Sequence, residues 1–125
     1  MAYDKNVSPV GWYLVSYLIR FVELADKQRN NPEKRFLAWE NTVLVKAKSL
    51  DQAYVKAMKI AREHARPYRG EPHGARVKWE VEGITDILPI YEAIGDGAEI
   101  AWAEHRARKL KTLRTWVKPK GSFRQ

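Results

Sequence analysis

The chain has 125 residues, long enough for one domain with a core of its own, and its 45% hydrophobic content with five tryptophans excludes a disordered polymer. It has no cysteine, which rules out disulfides and thiolate metal sites and fits a reducing compartment. The formal charge of +8 belongs entirely to residues 105–125, where eight Lys and Arg meet no acid, whereas acids and bases cancel over residues 1–104.

The opening residues, MAYDKNVSPVG, lack an apolar signal core, and no apolar run approaches the roughly 18 residues of a membrane span. A soluble, cytoplasmic protein is expected. From Gly11 to Leu24 the residues alternate as a strand. Tyr13, Val15, Tyr17, Ile19 and Phe21 make one wholly apolar face, and Trp12, Leu14, Leu18 and Val22 lie beside Ser16 and Arg20 on the other. Such a strand is apolar on both sides. Asp26 to Lys34 is a polar loop whose Asn-Asn-Pro is a turn signal. A second strand is expected over about Arg35 to Lys48, with Leu37, Trp39, Val43, Val45 and Ala47 on one face. Glu40, Thr42, Lys46 and Lys48 face the other way, interrupted by Phe36 and Leu44. The two strands and their short connection read as an antiparallel hairpin.

Ser49 to Ala65 reads as a helix. Ser49 is its N-cap, with Gln52 at capping-box spacing. Leu50, Ala53, Tyr54, Ala57, Met58 and Ala61 recur on one helical face, so Tyr54 and Met58 are expected in the core. Arg62, His64 and Arg66 crowd the last turn, where cations offset the helix dipole, and Pro67 ends the run.

A Gly- and Pro-rich loop comes next, from Pro67 to Gly74. After it, RVKWEVEGI is the cleanest strand, with Val77, Trp79 and Val81 inward and Arg76, Lys78, Glu80 and Glu82 outward. Ile84 to Tyr91 is broken by Pro89 and reads as an edge segment or short turn. After the Asp96-Gly97 turn, Ala98 to Ala103 is expected as a last strand. Beyond Glu104, Ala107, Leu110, Leu113 and Val117 fall at the spacing of a basic amphipathic helix, and Gly121 to Gln125 are expected to fray.

The residues resemble a family known as the bacterial domain of unknown function 4288. The resemblance begins with the aromatic pair Trp12-Tyr13 and continues with Val43, Val45 and Ala47 running into the capped helix at Ser49, Ala53 and Tyr54. It then takes in Tyr68, Gly74, Val77, Trp79, Gly83, Ile84 and Asp86, and closes on Asp96, Gly97, Glu99 and Ile100. It covers roughly residues 11–103. One departure is that Gly74 precedes Ala75, where the family pattern has Gly-Glu; Glu71 lies earlier in the loop. The resemblance implies a fold and a bacterial origin. It carries over no functional residues.

The residues assemble no catalytic constellation. His64, His73 and His105 have no pair at ligand spacing, and the chain has no phosphate-binding glycine loop and no nucleophile elbow. The serines read as a cap or as tail residues. Asp86, Asp96 and Glu99 form a candidate acidic cluster of the kind that binds a divalent cation or moves protons, although Asp96-Gly97 is also ordinary turn chemistry. In the tail, Arg106, Arg108, Lys109, Lys111, Arg114, Lys118 and Lys120 are candidate polyanion contacts, with Trp116 and Phe123 interleaved. A basic helix of this kind also suits an anionic membrane surface or an acidic partner.

The expected fold is α+β. It is a four- to five-stranded, mainly antiparallel sheet in the order β-β-α-β-β, with one principal helix on one face. The domain covers residues 11–103, and residues 104–125 form a basic extension, partly helical or disordered. A helix about 10 Å across covers little more than two strands spaced about 4.8 Å apart. Trp12, Leu14, Leu18, Phe36 and Leu44 are thereby left on the opposite face as a candidate interface. The functional expectation is a non-enzymatic interaction module, without cofactor or metal, that self-associates or binds a protein partner through that face. A homo-oligomer comes first. The alternatives are nucleic-acid binding through the tail and an accessory role of the immunity or antitoxin kind.

Overall fold

A computed structural model describes residues 4–65, 68–69 and 74–123, with 68–69 described by backbone alone. The helix stop at Arg66 and Pro67, the loop residues Glu71 and His73, the side chain of Tyr68, and Arg124 lie outside the described residues.

The fold is α+β. Three long strands carry the sheet: β1 (Trp12–Glu23), β2 (Ala38–Lys46) and β4 (Arg76–Pro89), with the two-residue β3 (Tyr68–Arg69) on the outer edge of β4. The spatial order is β2-β1-β4-β3 and every pairing is antiparallel. Helix α1 (Leu50–His64) covers one face of the three long strands. A short helix α2 (Leu110–Trp116) and a 3-10 turn over Lys120–Phe123 complete the described chain.

β1 is central because it is apolar on both sides. Its odd residues Tyr13, Val15, Tyr17 and Ile19 are buried under α1. They meet α1 at Ala53, Ala57 and Ala61, which are fully buried. Each fully buried Val or Ile contributes about 1.5–3 kcal/mol. A stripe of alanines lets the helix lie close to the sheet. The helix start keeps the capping pattern: the Ser49 side chain accepts from the Gln52 N–H at 3.1 Å, and the Gln52 amide oxygen accepts from the Lys48 N–H at 2.6 Å.

Tyr54 departs from expectation. It is 47% exposed, not in the core, because the buried stripe is the narrow alanine line and Tyr54 lies beside it. Met58 is half-buried.

The larger correction lies after the helix. The expected strand over RVKWEVEGI and the expected edge segment or turn over Ile84 to Tyr91 are one strand, β4, paired along its length with β1. Two register shifts explain why alternation concealed this. Ser16 pairs with Asp86 but Tyr17 with Ile84, leaving Thr85 over; Leu18 pairs with Gly83 but Ile19 with Val81, leaving Glu82 over. Each bulge inserts one residue and reverses the parity of the residues beyond it. The residues opposite the odd, inward positions of β1 therefore run Val77, Trp79, Val81, Ile84, Ile87, Pro89. Pro89 is tolerated because the neighbouring Ile90 N–H supplies the bond to the Trp12 carbonyl at 2.9 Å, so the Pro89 nitrogen points away from β1.

The expected last strand at Ala98 to Ala103 does not form; those residues have no secondary structure. The long elements thus run β-β-α-β, and the two-residue β3 brings the sheet to four strands; the successive strands expected after the helix are replaced by the single long β4. The tail helix is also shorter than its spacing suggested. α2 has seven residues, none buried, and packs against no other described element.

Candidate interaction surface

The register places the even residues of β1 on the face without a helix, in rows that cross the sheet. Leu14 stands between Leu44 on β2 and Leu88 on β4. That gives three leucines in line across three strands, with Trp12 one step along β1. Leu44 is 44% exposed, and Leu14, Leu88, Trp12 and Leu18 are half-buried. The next row is polar: Ser16 lies between Thr42 and Asp86, and the Ser16 and Thr42 hydroxyls share a 2.8 Å hydrogen bond. Leu18 comes next, between Glu40 and Gly83, and then Arg20, whose Nε lies 3.5 Å from a carboxylate oxygen of Glu82.

Phe36, the remaining candidate interface residue, belongs to a different part of this face. The connection between β1 and β2 folds over the Arg20 end. The Arg20 guanidinium sits 4.5 Å from the Phe36 ring centroid and donates to the Arg29 carbonyl. The Arg29 side chain in turn donates to the Leu24 carbonyl at 2.6 Å. Val22, an even residue expected on the open face, is buried at this end. Asp26 pairs with Lys34, and the hydrogen bond from that ammonium, helped by the Gln28 N–H, holds the Asp26 carboxyl below the usual carboxylate range. The dent between Arg20, Arg29, Asn31, Lys34, Phe36 and Glu82 has a volume of about 320 Å³ and is open to solvent. The loop thus closes one end of the face and leaves the leucine row uncovered.

Two aromatic groupings on the helix side are invisible to residue spacing. Trp39 and Trp79 stack at 4.7 Å between centroids with planes 31° apart, and Phe21 meets Trp79 edge-on at 5.5 Å. Both tryptophans flank β1 from neighbouring strands, a relation that only the register reveals. Tyr17, fully buried, shares a 2.5 Å hydrogen bond between its hydroxyl and His64 Nδ1 at the end of α1. His64 is therefore occupied in closing the helix onto the sheet.

The acidic candidates do not converge on a metal site. Asp86 lies exposed on β4, and Asp96 and Glu99 are exposed beyond it. Among the described residues no group of three or more His, Cys, Asp or Glu is placed to hold an ion. The Glu99 N–H donates to the Glu92 carboxylate at 2.9 Å. In the tail, Arg106, Arg108, Lys109, Lys111, Arg114, Lys118 and Lys120 are all exposed. Trp116 of the tail packs on the His105 ring at 4.9 Å, not on the sheet. No helix of the described residues is long and apolar enough to cross a membrane.

The model of the family described as Domain of unknown function (DUF4288) matches residues 12–102. That span begins at β1 and ends before the basic tail. Neither the curated proteins nor the solved structures provide a match.

Proposed function

The chain belongs to the DUF4288 family, a domain of unknown function, and on that premise we propose that it is a non-enzymatic, cytoplasmic interaction module that self-associates through the helix-free face of its sheet. The observation that carries the reading is the row Leu44–Leu14–Leu88, flanked by Trp12 and Leu18, which neither α1 nor α2 covers. Exposed apolar surface of this kind is costly unless a partner removes it from water, and each leucine fully buried there contributes about 1.5–3 kcal/mol. The polar row of Ser16, Thr42 and Asp86 limits the patch and supplies direction to the contact.

Light scattering is expected to find a dimer or larger species. Leu14→Glu or Leu18→Glu is expected to dissociate it while circular dichroism stays unchanged, because both side chains are only half-buried in the monomer. A protein that is monomeric throughout, and indifferent to both changes, overturns the reading.

One observation favours a second reading. Seven tail cations are exposed on a segment whose helix packs against no other described element, which suits contact with nucleic-acid phosphates. Binding to single- or double-stranded DNA or RNA that falls with salt, and is lost on deleting residues 105–125, supports it. Absence of binding at low salt ends it.

A further inference from the structure

We propose that the free edge of β2 takes up residues 98–104 of a second copy of this chain as an added antiparallel strand. This goes beyond the helix-free face, because it concerns the edge of the sheet and the groove between that edge and α1.

The edge is open and regular. The Ala47 N–H donates to the Gly11 carbonyl and the Phe21 N–H to the Leu37 carbonyl, so the odd residues of β2 bond to β1. In an antiparallel ladder the even residues Ala38, Glu40, Thr42, Leu44 and Lys46 then direct their N–H and C=O groups outward. Among the described residues β2 pairs only with β1, without bulge or proline, whereas β4 carries two bulges and Pro89. Bulges and prolines are the usual protections of an edge, and β2 lacks both. Its guard is a side chain: the Lys56 ammonium donates to the outward Lys46 carbonyl at 2.5 Å.

Beside this edge runs a groove of about 400 Å³ lined by Val45 of β2 and by Lys56, Lys59 and Ile60 of α1; Leu44 and Lys46 border it from strand positions whose side chains take the helix-free face. Among the described residues Glu63 is the one acid lining it. The groove therefore suits an extended segment that is acidic and carries apolar side chains on one side.

Residues 98–104, AEIAWAE, have that chemistry. Ile100 is 46% and Trp102 59% exposed, and the segment has no secondary structure. From Ile100 to Arg108 no residue makes a backbone hydrogen bond among the described residues. Ile100, Trp102 and Glu104 share one side and Glu99 lies on the other. An antiparallel register that sets Glu99 opposite Lys46 places Ile100 opposite Val45, Trp102 opposite Val43 and Glu104 opposite Asn41. The apolar pair then enters the groove, Glu104 approaches Lys59, and Lys56 gives up its carbonyl. The odd residues Glu99, Ala101 and Ala103 meet the outward groups of Lys46, Leu44 and Thr42, and the Glu99 N–H exchanges the Glu92 carboxylate for the Lys46 carbonyl.

The experiment is a charge exchange read by sedimentation velocity. Lys56→Glu/Lys59→Glu and, separately, Glu99→Lys/Glu104→Lys are each expected to weaken self-association about tenfold or more, since each sets like charges against each other. An equimolar mixture of the two variants is expected to recover the wild-type dimer as a heterodimer, which only exchange between copies can do. Ala101→Pro, in a segment with no ladder of its own, is expected to weaken the dimer without altering the circular dichroism of the monomer. Three outcomes overturn the proposal: self-association indifferent to all three variants, variants that stay apart when mixed, or a wild-type monomer whose segment pairs with its own β2. Dissociation by Leu14→Glu with no response to the charge variants overturns the edge and leaves the helix-free face standing. The converse pattern overturns the face and supports the edge.

Discussion

Ser8 and Ile90, 82 positions apart, are joined by a 2.5 Å hydrogen bond from the serine hydroxyl to the isoleucine carbonyl. The same serine oxygen accepts from the N–H of Trp12 at 3.1 Å and of Val10 at 3.3 Å, while the Ser8 N–H donates to the Tyr13 hydroxyl at 3.0 Å. Ser8 is only 6% exposed, and Ile90 and Tyr13 are buried. One serine thus ties the segment before β1 to the end of β4. Ser8→Ala leaves a buried carbonyl and the Trp12 N–H short of a partner, and is expected to lower stability by about 1–3 kcal/mol in urea unfolding. A change under about 0.5 kcal/mol, the size of an ordinary surface substitution, shows that the linkage carries no weight.

Gly83 sits between the two bulges of β4 with φ of 149°, opposite Leu18. A Cβ there meets nothing within 4 Å, so crowding is not the obstacle. The backbone conformation is, because side-chain-bearing residues rarely adopt it. Gly83→Ala is expected to cost about 1–3 kcal/mol. If thermal unfolding shows no loss, the strand passes this point without requiring glycine.

The close approach of α1 depends on small side chains. Ala57 is fully buried against the cluster of Tyr13, Val15 and Val45. Ala57→Leu is expected to destabilise by about 1–3 kcal/mol through overpacking. Tyr54→Ala, one helical turn earlier at an exposed position, is expected to stay within about 0.5 kcal/mol. Equal effects at the two positions in denaturant unfolding contradict the alanine interface.

Asp26 titrates below the usual carboxylate range because Lys34 hydrogen-bonds its ionised form. A depressed folded-state pKa means the pair contributes above the ordinary carboxylate pKa and loses its contribution as pH falls through the lowered value. Both groups are on the surface, so salt reduces the effect. Lys34→Met is expected to raise the Asp26 pKa toward the ordinary range in a carboxyl NMR titration. An unmoved titration rules out the lysine as the cause.

Local elements were legible where one physical cause acted alone. Ser49 and Gln52 announced the start of α1, and the odd residues of β1 announced its buried face, because capping and alternation are properties of neighbours in sequence. β4 was legible only as far as Gly83. Bulges at Glu82 and Thr85 reverse parity, and a reading by alternation turns that reversal into a strand end. The candidate interface residues Trp12, Leu14 and Leu18 could be picked out from β1 itself, but Leu88 could not, since its partnership with Leu14 depends on the bulged register. The strand pattern places Phe36 on the same surface because it says nothing of where the preceding loop folds.

The sequence by itself determined the α+β composition, the capped helix, the central apolar strand and the division between a neutral body and a basic tail. Hydrophobic periodicity, capping and charge are written in adjacent residues. Tertiary structure alone decided that β4 is one strand, that Tyr54 faces water, that Ser8 fastens the start of β1 to the end of β4, and that residues 98–103 join no strand. Each of these depends on groups distant in sequence, and only the register of antiparallel strands sets which of those groups meet.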